Sequence, residues 1–519
     1  MPETHRITRA ATTIGLGTFA SRILGFARDM VIANFFGTGM AADAFFVAFR
    51  LPNLWRRLVG EGSLTVSFIP VYTEYVTQRS EKDSQELVHI AVTLAGIILL
   101  ILTIFGIVFS PLLIRMIAPG FIEVPEKFQL TVTLNQIIFS YLFFMGLFAL
   151  CMGILNSLRH FFAPAIAPVF LNVSILVSVL LFYDHLQQPV LALAVGVLAG
   201  GVIQFLFQIP FLMKRGITFR FNFNFRHPTV RRIGSLMVPG VIGTAVYQIS
   251  VFIDTAFASF LPTGSVSYLF FADRLVEFPL GIFAIAIGMA SLPSLSSLAS
   301  QGRMEELRKT LSFTFRLVCF FSIPAMMGLI FLKTPIIHLL FQRGHFDTTA
   351  TTMTAKALFC YSVGLWAIAG VRTLVPAFYS LQDTWTPLKI ALICLGVKVV
   401  LNSTLIFPLK HAGLALATSL SSILNLILLS RVLSSRLGGM NLKKNIGSLL
   451  QITFCSLLMG LSAYFICSAG DWTGTGLSGE KALVLGMGIG TGLGIYLACS
   501  YWMKNEELLF LLKMLRRKN

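Results

Sequence analysis

The sequence is poor in charge. Lys, Arg, Asp and Glu make up 12% of its 519 residues, whereas a soluble domain averages about 25%. Hydrophobic residues account for 56% of the chain, and its mean hydropathy is +0.81. Apolar runs of roughly 20 residues, long enough to cross a bilayer as a helix, recur from end to end. These features exclude a string of soluble domains and predict an all-α polytopic membrane protein.

The chain also lacks the motifs of common catalytic and metal-binding sites. It has no GxxxxGK[ST] phosphate loop and no HExxH pattern, and its seven cysteines form no CxxC pair. The eight histidines fall in predicted loops or near the ends of predicted spans, which leaves little general-base chemistry in the membrane. These absences argue against an enzyme and against ATP hydrolysis by this chain, so that any transport would be of the secondary type, and they predict no cofactor.

Acidic residues are scarce relative to basic ones, 22 against 40, and the formal net charge is +18. In a soluble protein this excess would suggest nucleic acid, but membrane proteins concentrate Lys and Arg in their cytoplasmic connections. The longest basic connection, residues 214–232, contains Lys214, Arg215, Arg220, Arg226, Arg231 and Arg232. The apolar runs give fourteen predicted transmembrane helices, and the distribution of Lys and Arg places both termini in the cytoplasm. No nucleic-acid partner is predicted.

A faint internal repeat runs through the chain at an offset of 223–225 residues. Phe45-Phe46 matches Phe270-Phe271, and the helix-closing Pro70 matches Pro293. Each copy covers six predicted helices, an even number, so both copies have the same orientation. Transporters place their substrate site between such halves.

The repeat predicts three parts. Residues 1–225 form an N-terminal lobe of helices 1–6, residues 226–440 form a C-terminal lobe of helices 7–12, and residues 441–519 add helices 13 and 14. The fold class is thus two parallel six-helix lobes plus a C-terminal helix pair.

Nine basic residues lie inside the apolar stretches. Each costs at least about 2.5–3.5 kcal/mol at the bilayer centre, so such residues face a wet cavity, a partner or an anionic substrate. The guanidinium fork suits phosphate oxygens, which favours a phosphate-type anion. Alternatively, the charges pair with one another and hold helices together. Arg57 could pair with Glu61 in this way, and Asp273 or Glu277 could neutralise another of the charges. The nine are Arg22, Arg28, Arg50, Arg56, Arg57, Arg274, Arg316, Arg372 and Lys398.

Three segments carry a resemblance to a known family. They are residues 21–29 (SRILGFARD), 43–62 (DAFFVAFRLPNLWRRLVGEG) and 272–279 (ADRLVEFP). Together they resemble the MurJ (MviN) family, the bacterial lipid II flippases of the multidrug/oligosaccharidyl-lipid/polysaccharide exporter superfamily. The resemblance covers the whole chain and implies movement of undecaprenyl-diphosphate-linked peptidoglycan precursor from the inner to the outer leaflet of the cytoplasmic membrane.

The resemblance also implies site residues. Arg22, Arg28, Arg56 and Arg274 match the essential cavity arginines of the family, and helices 13 and 14 match its lipid-tail groove. Asp43, Glu61 and Arg50 fall in the same motifs, Arg50 at a position often filled by Lys. Some members hold sodium in the second lobe, and Asp254 is a candidate acid for such a site, although the rest of that site finds no match here.

Alternatives come from the same superfamily. One is a flippase for another polyprenyl-diphosphate-linked sugar, and another is a drug or cation antiporter, which would need a net acidic cavity. A non-transporting scaffold would not need unpaired intramembrane arginines. Sodium, protons and the membrane potential all remain candidates for the driving force, and Asp254, Arg372 and Lys398 have no assigned roles.

Overall fold

The structure is a computed structural model that describes residues 3–56, 64–439, 442–472, 474 and 478–516. Helices are the regular secondary structure of these residues, and no strand occurs among them. The helices are α1 (Glu3–Phe36), α2 (Met40–Trp55), α3 (Leu64–Gln78), α4 (Glu81–Val108), α5 (Ser110–Ile117), α6 (Pro125–Phe139), α7 (Tyr141–Ser157), α8 (Phe162–Phe182), α9 (Leu191–Met213), α10 (Pro228–Ser259), α11 (Ser265–Pro279), α12 (Ile285–Ser300), α13 (Met304–Phe331), α14 (Lys333–Phe341), α15 (Thr348–Val363), α16 (Leu365–Ser380), α17 (Trp385–Leu409), α18 (His411–Arg436), α19 (Leu442–Cys467), α20 (Gly479–Trp502) and α21 (Glu506–Arg516).

The predicted all-helical membrane architecture is confirmed. Ten helical stretches in the described residues are long and apolar enough to cross a membrane, and an eleventh arises if α15 and α16, bent by 42°, count as one span.

Polar side chains cap the first turn of several helices. The Ser80 side chain accepts a hydrogen bond from the Asp83 N–H at α4, and Asp347 Oδ1 accepts one from the Ala350 N–H at α15. Such caps satisfy backbone donors that the first helical turn leaves unpaired.

The helix boundaries repeat along the chain, as the sequence offset predicts. Helices α4 and α13 begin 223 residues apart, as do α6 and α15, and α8 and α17, while α2 and α11 begin 225 apart. Equivalent helices also have equivalent neighbours: α8 packs against α9 as α17 does against α18, and α2 packs against α6 as α11 does against α15. The two copies therefore share the packing of these helix pairs.

The chain divides into two compact units, residues 1–264 and 265–519. The first unit contains α1 to α10, and within it α1 packs along α8 while α10 packs against α3 and α5. The repeat partners α1 and α10 thus differ in their neighbours. In the second unit α19 packs against both α13 and α20. The lobe boundary at 225/226 stays a prediction, because the compact units divide after the predicted seventh helix.

A buried ion pair attaches the last helix to the second unit. Arg316, in α13, is 5% exposed, and its Nε lies 2.7 Å from Oε1 of Glu507, which is 1% exposed. Glu506 also reaches Arg316, at 3.1 Å, but its side chain is 56% exposed. The Asn505 side chain accepts hydrogen bonds from the N–H groups of Glu507 and Leu508 and thereby caps α21. Arg316 is therefore neutralised by acids of α21.

We expect Glu507→Ala to destabilise the protein by about 3 kcal/mol, because it leaves a buried guanidinium without its inner carboxylate. The matched variant Glu506→Ala removes an exposed partner of the same arginine and should cost less than about 1 kcal/mol. Thermal unfolding of both variants in detergent micelles measures the difference. Equal losses would show that burial of Glu507 adds nothing to its ion pair.

Candidate functional site

The C-terminal half of α1 contains a buried cation, Arg28, with two partners. Arg28 is 9% exposed, and its Nε and Nη2 donate to Asp29 Oδ1 at 3.0 and 2.6 Å. Its Nη1 donates to Asn172 Oδ1 in α8 at 3.1 Å. A Cβ on Gly17 would lie 2.6 Å from the Ala165 carbonyl oxygen, so the missing side chain allows the close approach of α1 to α8 that brings Asn172 to Arg28.

Arg22 differs from Arg28. It lies on α1, nearly two turns before Asp29, and is half-buried. Among the described residues, no side-chain hydrogen bond or ion pair engages it. Asn172 Nδ2 bonds to the neighbouring Ser21 carbonyl at 3.1 Å and so fixes the backbone beside it. The backbone beside Arg22 is therefore held in place, while its guanidinium donors, within the described residues, remain available to a ligand.

Asp43 is a structural ion-pair partner in the first turn of α2. Its side chain is 1% exposed, and Oδ2 accepts from Lys127 Nζ in α6 at 2.8 Å. The backbone N–H of Gly264 donates to the same oxygen at 2.8 Å. Gly264 has φ +97°, a conformation that favours glycine. The Lys127 ammonium also lies 4.1 Å from the centre of the Phe121 ring.

Arg50 and Arg56 sit farther along α2. Arg50 Nη1 donates to the Thr255 hydroxyl and lies 3.3 Å from the Val251 carbonyl oxygen, and both acceptors belong to α10. Arg56 follows the last residue of α2, and its Nε donates to Asn53 Oδ1 at 2.8 Å. Both arginines are half-buried. The predicted site residue Glu61, and with it Arg57, lies outside the described residues.

The second unit holds the remaining predicted arginine. Arg274, in α11, is half-buried with its guanidinium carbon 4.8 Å from the centre of the Phe270 ring. One turn later, Glu277 accepts from Arg372 Nη2 of α16 at 2.9 Å. This ion pair agrees with the prediction that Glu277 has a structural partner, and it gives Arg372 a role that the sequence left open.

Asp254 is half-buried in α10, next to the Thr255 hydroxyl that Arg50 contacts. Within the part of the chain that the structure describes, His, Cys, Asp and Glu form no group of three or more that could hold a metal ion. Lys398, the basic residue of α17, is 4% exposed.

The structure thus sorts the predicted site residues by their partners. In the first unit, Asn172 and Lys127 fix Arg28 and Asp43, and sequence reasoning missed both. Lys127 lies in the first turn of α6, directly after Pro125 and Glu126. Its buried neighbour lies 84 residues away in the chain, so local sequence carries no signal of the pairing. Chemically, the site offers guanidinium donors suited to phosphate oxygens.

Comparison with known proteins gives matches over most of the chain. The family described as lipid II flippase MurJ matches residues 32–476. The probable lipid II flippase MurJ of Vibrio cholerae serotype O1 is 36% identical over 502 residues, 95% of each chain. The lipid II flippase MurJ of Burkholderia cenocepacia is 38% identical over 425 residues, 81% of this chain and 82% of that protein.

Solved structures give the same result for the fold. A structure of lipid II flippase MurJ in an inward closed conformation has a TM-score of 0.80 and 27% identity, covering 95% of this chain and 99% of that one. An inward-facing multidrug resistance transporter of the MATE family, in the MOP superfamily, has a TM-score of 0.68 and 16% identity, covering 82% and 96%. The second likeness concerns the fold alone.

The Asp43–Lys127 pair generates a prediction. Asp43→Asn or Lys127→Met leaves one buried charge uncompensated, so each should destabilise by about 3 kcal/mol. The double variant removes both charges and should lose at least about 1 kcal/mol less than the sum of the single losses. The exposed Glu305–Lys309 pair of α13 is the control, with an expected coupling below about 0.5 kcal/mol. Additive losses at Asp43 and Lys127 would contradict the assigned structural pairing.

Proposed function

Since this chain belongs to the MurJ family of lipid II flippases, we propose that it moves lipid II from the inner to the outer leaflet of the bacterial cytoplasmic membrane by alternating access. The observation that carries this proposal is the family match over residues 32–476, with relatives of that name at 36% and 38% identity. The protein is a multi-pass membrane transporter in peptidoglycan biosynthesis.

The substrate explains why arginine is the site residue. A diphosphate headgroup cannot cross hydrocarbon unless fixed donors replace its water, because an unpaired buried charge is very costly. We assign Arg22 the first contact with the diphosphate, since its donors are uncommitted among the described residues and its charge has no acidic partner there. Arg28 contributes through a guanidinium already oriented by Asp29 and Asn172.

The other arginines have proposed supporting roles. Arg274 supplies a further cation, and Arg56 assists at the end of α2, where Asn53 orients its Nε. Arg50 links α2 to α10 through Thr255, and Asp43 positions the start of α2 through Lys127, so both act as positioning residues. Glu61 is proposed as the acidic partner of Arg57 on the strength of their spacing.

We also propose fourteen transmembrane helices with both termini in the cytoplasm. Adding α1, the α2–α3 pair and α10 to the eleven apolar spans gives that number. In this topology α19 and α20 form the groove for the prenyl tail, and the two six-helix lobes rock about the headgroup site. The excess of Lys and Arg in connections such as 214–232 supports the orientation.

Transport needs a driving force other than ATP hydrolysis, because the chain has no nucleotide-binding motif. The membrane potential supplies about 2.3 kcal/mol per elementary charge per 100 mV. Asp254 is the proposed acid for a coupling cation. A cation antiporter is the poorer alternative, because the charged residues of α1 and α2 are predominantly basic.

The Arg22→Ala variant should fail to restore growth to cells depleted of their own flippase. It should also leave less lipid II exposed on the outer leaflet than the unchanged protein does. Thermal stability should change by less than about 0.5 kcal/mol, because no described contact is lost. Arg28→Ala should lose both function and stability, since Asp29 stays buried without its cation. Arg303→Ala removes an exposed arginine paired with Glu306 and should retain growth. Growth supported by Ala variants of Arg22, Arg28, Arg56 and Arg274 alike would refute the site assignment.

A further inference from the structure

The connection between α9 and α10 carries an unusual aromatic ladder. Residues 217–224 are not helical, and successive rings contact one another: the ring centres of Phe221 and Phe223 lie 6.4 Å apart, and those of Phe223 and Phe225 lie 6.0 Å apart. The ladder consists of Phe219, Phe221, Phe223 and Phe225, alternating with Arg220, Asn222, Asn224 and Arg226. Phe221 is 85% exposed and Phe223 is 65% exposed. Apolar area left in water costs about 25 cal/mol per Å². An apolar contact that covers the Phe221 and Phe223 rings would therefore be favourable.

Helix α4 fixes the position of the ladder. Gln85, His89 and Thr93 are spaced four residues apart on one face of α4. The Gln85 side chain donates to the Gly216 carbonyl oxygen at 2.6 Å, and His89 Nε2 lies 3.0 Å from the Thr218 carbonyl oxygen. The Asn222 N–H donates to Thr93 Oγ1 at 2.9 Å.

These contacts set the depth of the phenylalanines. From Gln85 to Thr93 the segment advances along α4 by about 12 Å, at 1.5 Å per residue. Helix α4 is a membrane-span candidate and is nearly continuously apolar from Ile90 onward. Phe221 and Phe223 flank Asn222 and so lie level with the first apolar turn of α4. This is the depth of the headgroup and acyl-chain boundary, where aromatic side chains concentrate.

The basic residues around the ladder divide into two groups. Arg215 donates to the Leu158 carbonyl oxygen, and Arg232 forms an ion pair with Glu74, so both bind the protein itself. Arg220 and Arg226 are exposed, and within the described residues neither has an ion-pair partner. Two uncommitted guanidinium groups beside exposed phenylalanines complement the phosphates of anionic lipids.

We propose that residues 219–226, the aromatic loop, form a membrane anchor. Phe221 and Phe223 insert beneath the headgroups of the leaflet at the Glu81 end of α4, and Arg220 and Arg226 bind anionic headgroups there. In the proposed topology this is the cytoplasmic leaflet. The anchor goes beyond lipid II transport, because its ligand is the bulk anionic bilayer, and it holds the entry to α10, where Tyr75 and Thr229 share a hydrogen bond at 2.5 Å.

Fluorine NMR tests the insertion without background from the native residues. Trifluoromethyl-phenylalanine is placed at position 221 or 223 of the full-length protein in nanodiscs containing phosphatidylglycerol. We expect a doxyl label near the top of the lipid acyl chain to broaden both signals at least twofold more than an aqueous gadolinium chelate does. The same probe at position 82, in the exposed first turn of α4, is the matched control and should show the opposite order.

Two outcomes at 221 and 223 would overturn the anchor. Broadening by gadolinium equal to that at position 82 would place the loop in water, and protection from both agents would place it against the protein. The charged part has its own test. Arg220→Gln with Arg226→Gln should at least halve the doxyl broadening at 221 in phosphatidylglycerol-containing nanodiscs and change it little in pure phosphatidylcholine. An equal response in both lipids would refute headgroup binding by these arginines.

Discussion

A cation inside a membrane helix must meet an acid, a dipole or a ligand, and this constraint organises most of the polar contacts described above. Arg316 meets Glu507, Arg372 meets Glu277, and Lys127 meets Asp43. In each case the contact joins helices that are distant in sequence, so neutralising the charge also fixes the packing. Arg22 is the exception among the described cations of α1, and that exception makes it the strongest candidate for a ligand group.

The internal repeat adds a second organising rule. The two copies build the same helix pairs at matching boundaries, yet their first helices diverge. Helix α1 lies along α8 of its own copy, whereas α10, its counterpart, packs against α3 and α5. Arg50 reinforces that arrangement because it reaches from α2 into α10. The two copies thus differ in the helices against which their first helices pack.

Much of the fold could be predicted from the sequence, and part of the site could not. Hydropathy identifies the apolar helices because burial in lipid demands long apolar runs, and the repeat offset anticipates where equivalent helices begin. The MurJ family was identified from segments 21–29, 43–62 and 272–279, because these motifs are long and specific. The partners of the intramembrane arginines could not be predicted. Asn172 approaches Arg28, and Glu507 approaches Arg316, only through tertiary packing.

The ion pair of Arg28 has a property that its partners determine together. Adjacent residues on a helix do not normally face each other, yet Arg28 folds back onto Asp29, its immediate neighbour. This ion pair lies within α1, and Asn172 of α8 contacts the same helix at two points, Arg28 Nη1 and the Ser21 carbonyl oxygen. A sliding displacement of α1 along α8 would break both Asn172 contacts, while Arg28 and Asp29 would move together as a pair. In α1, the ion pair of Arg28 is therefore distinct from the hydrogen bonds that attach the helix to α8.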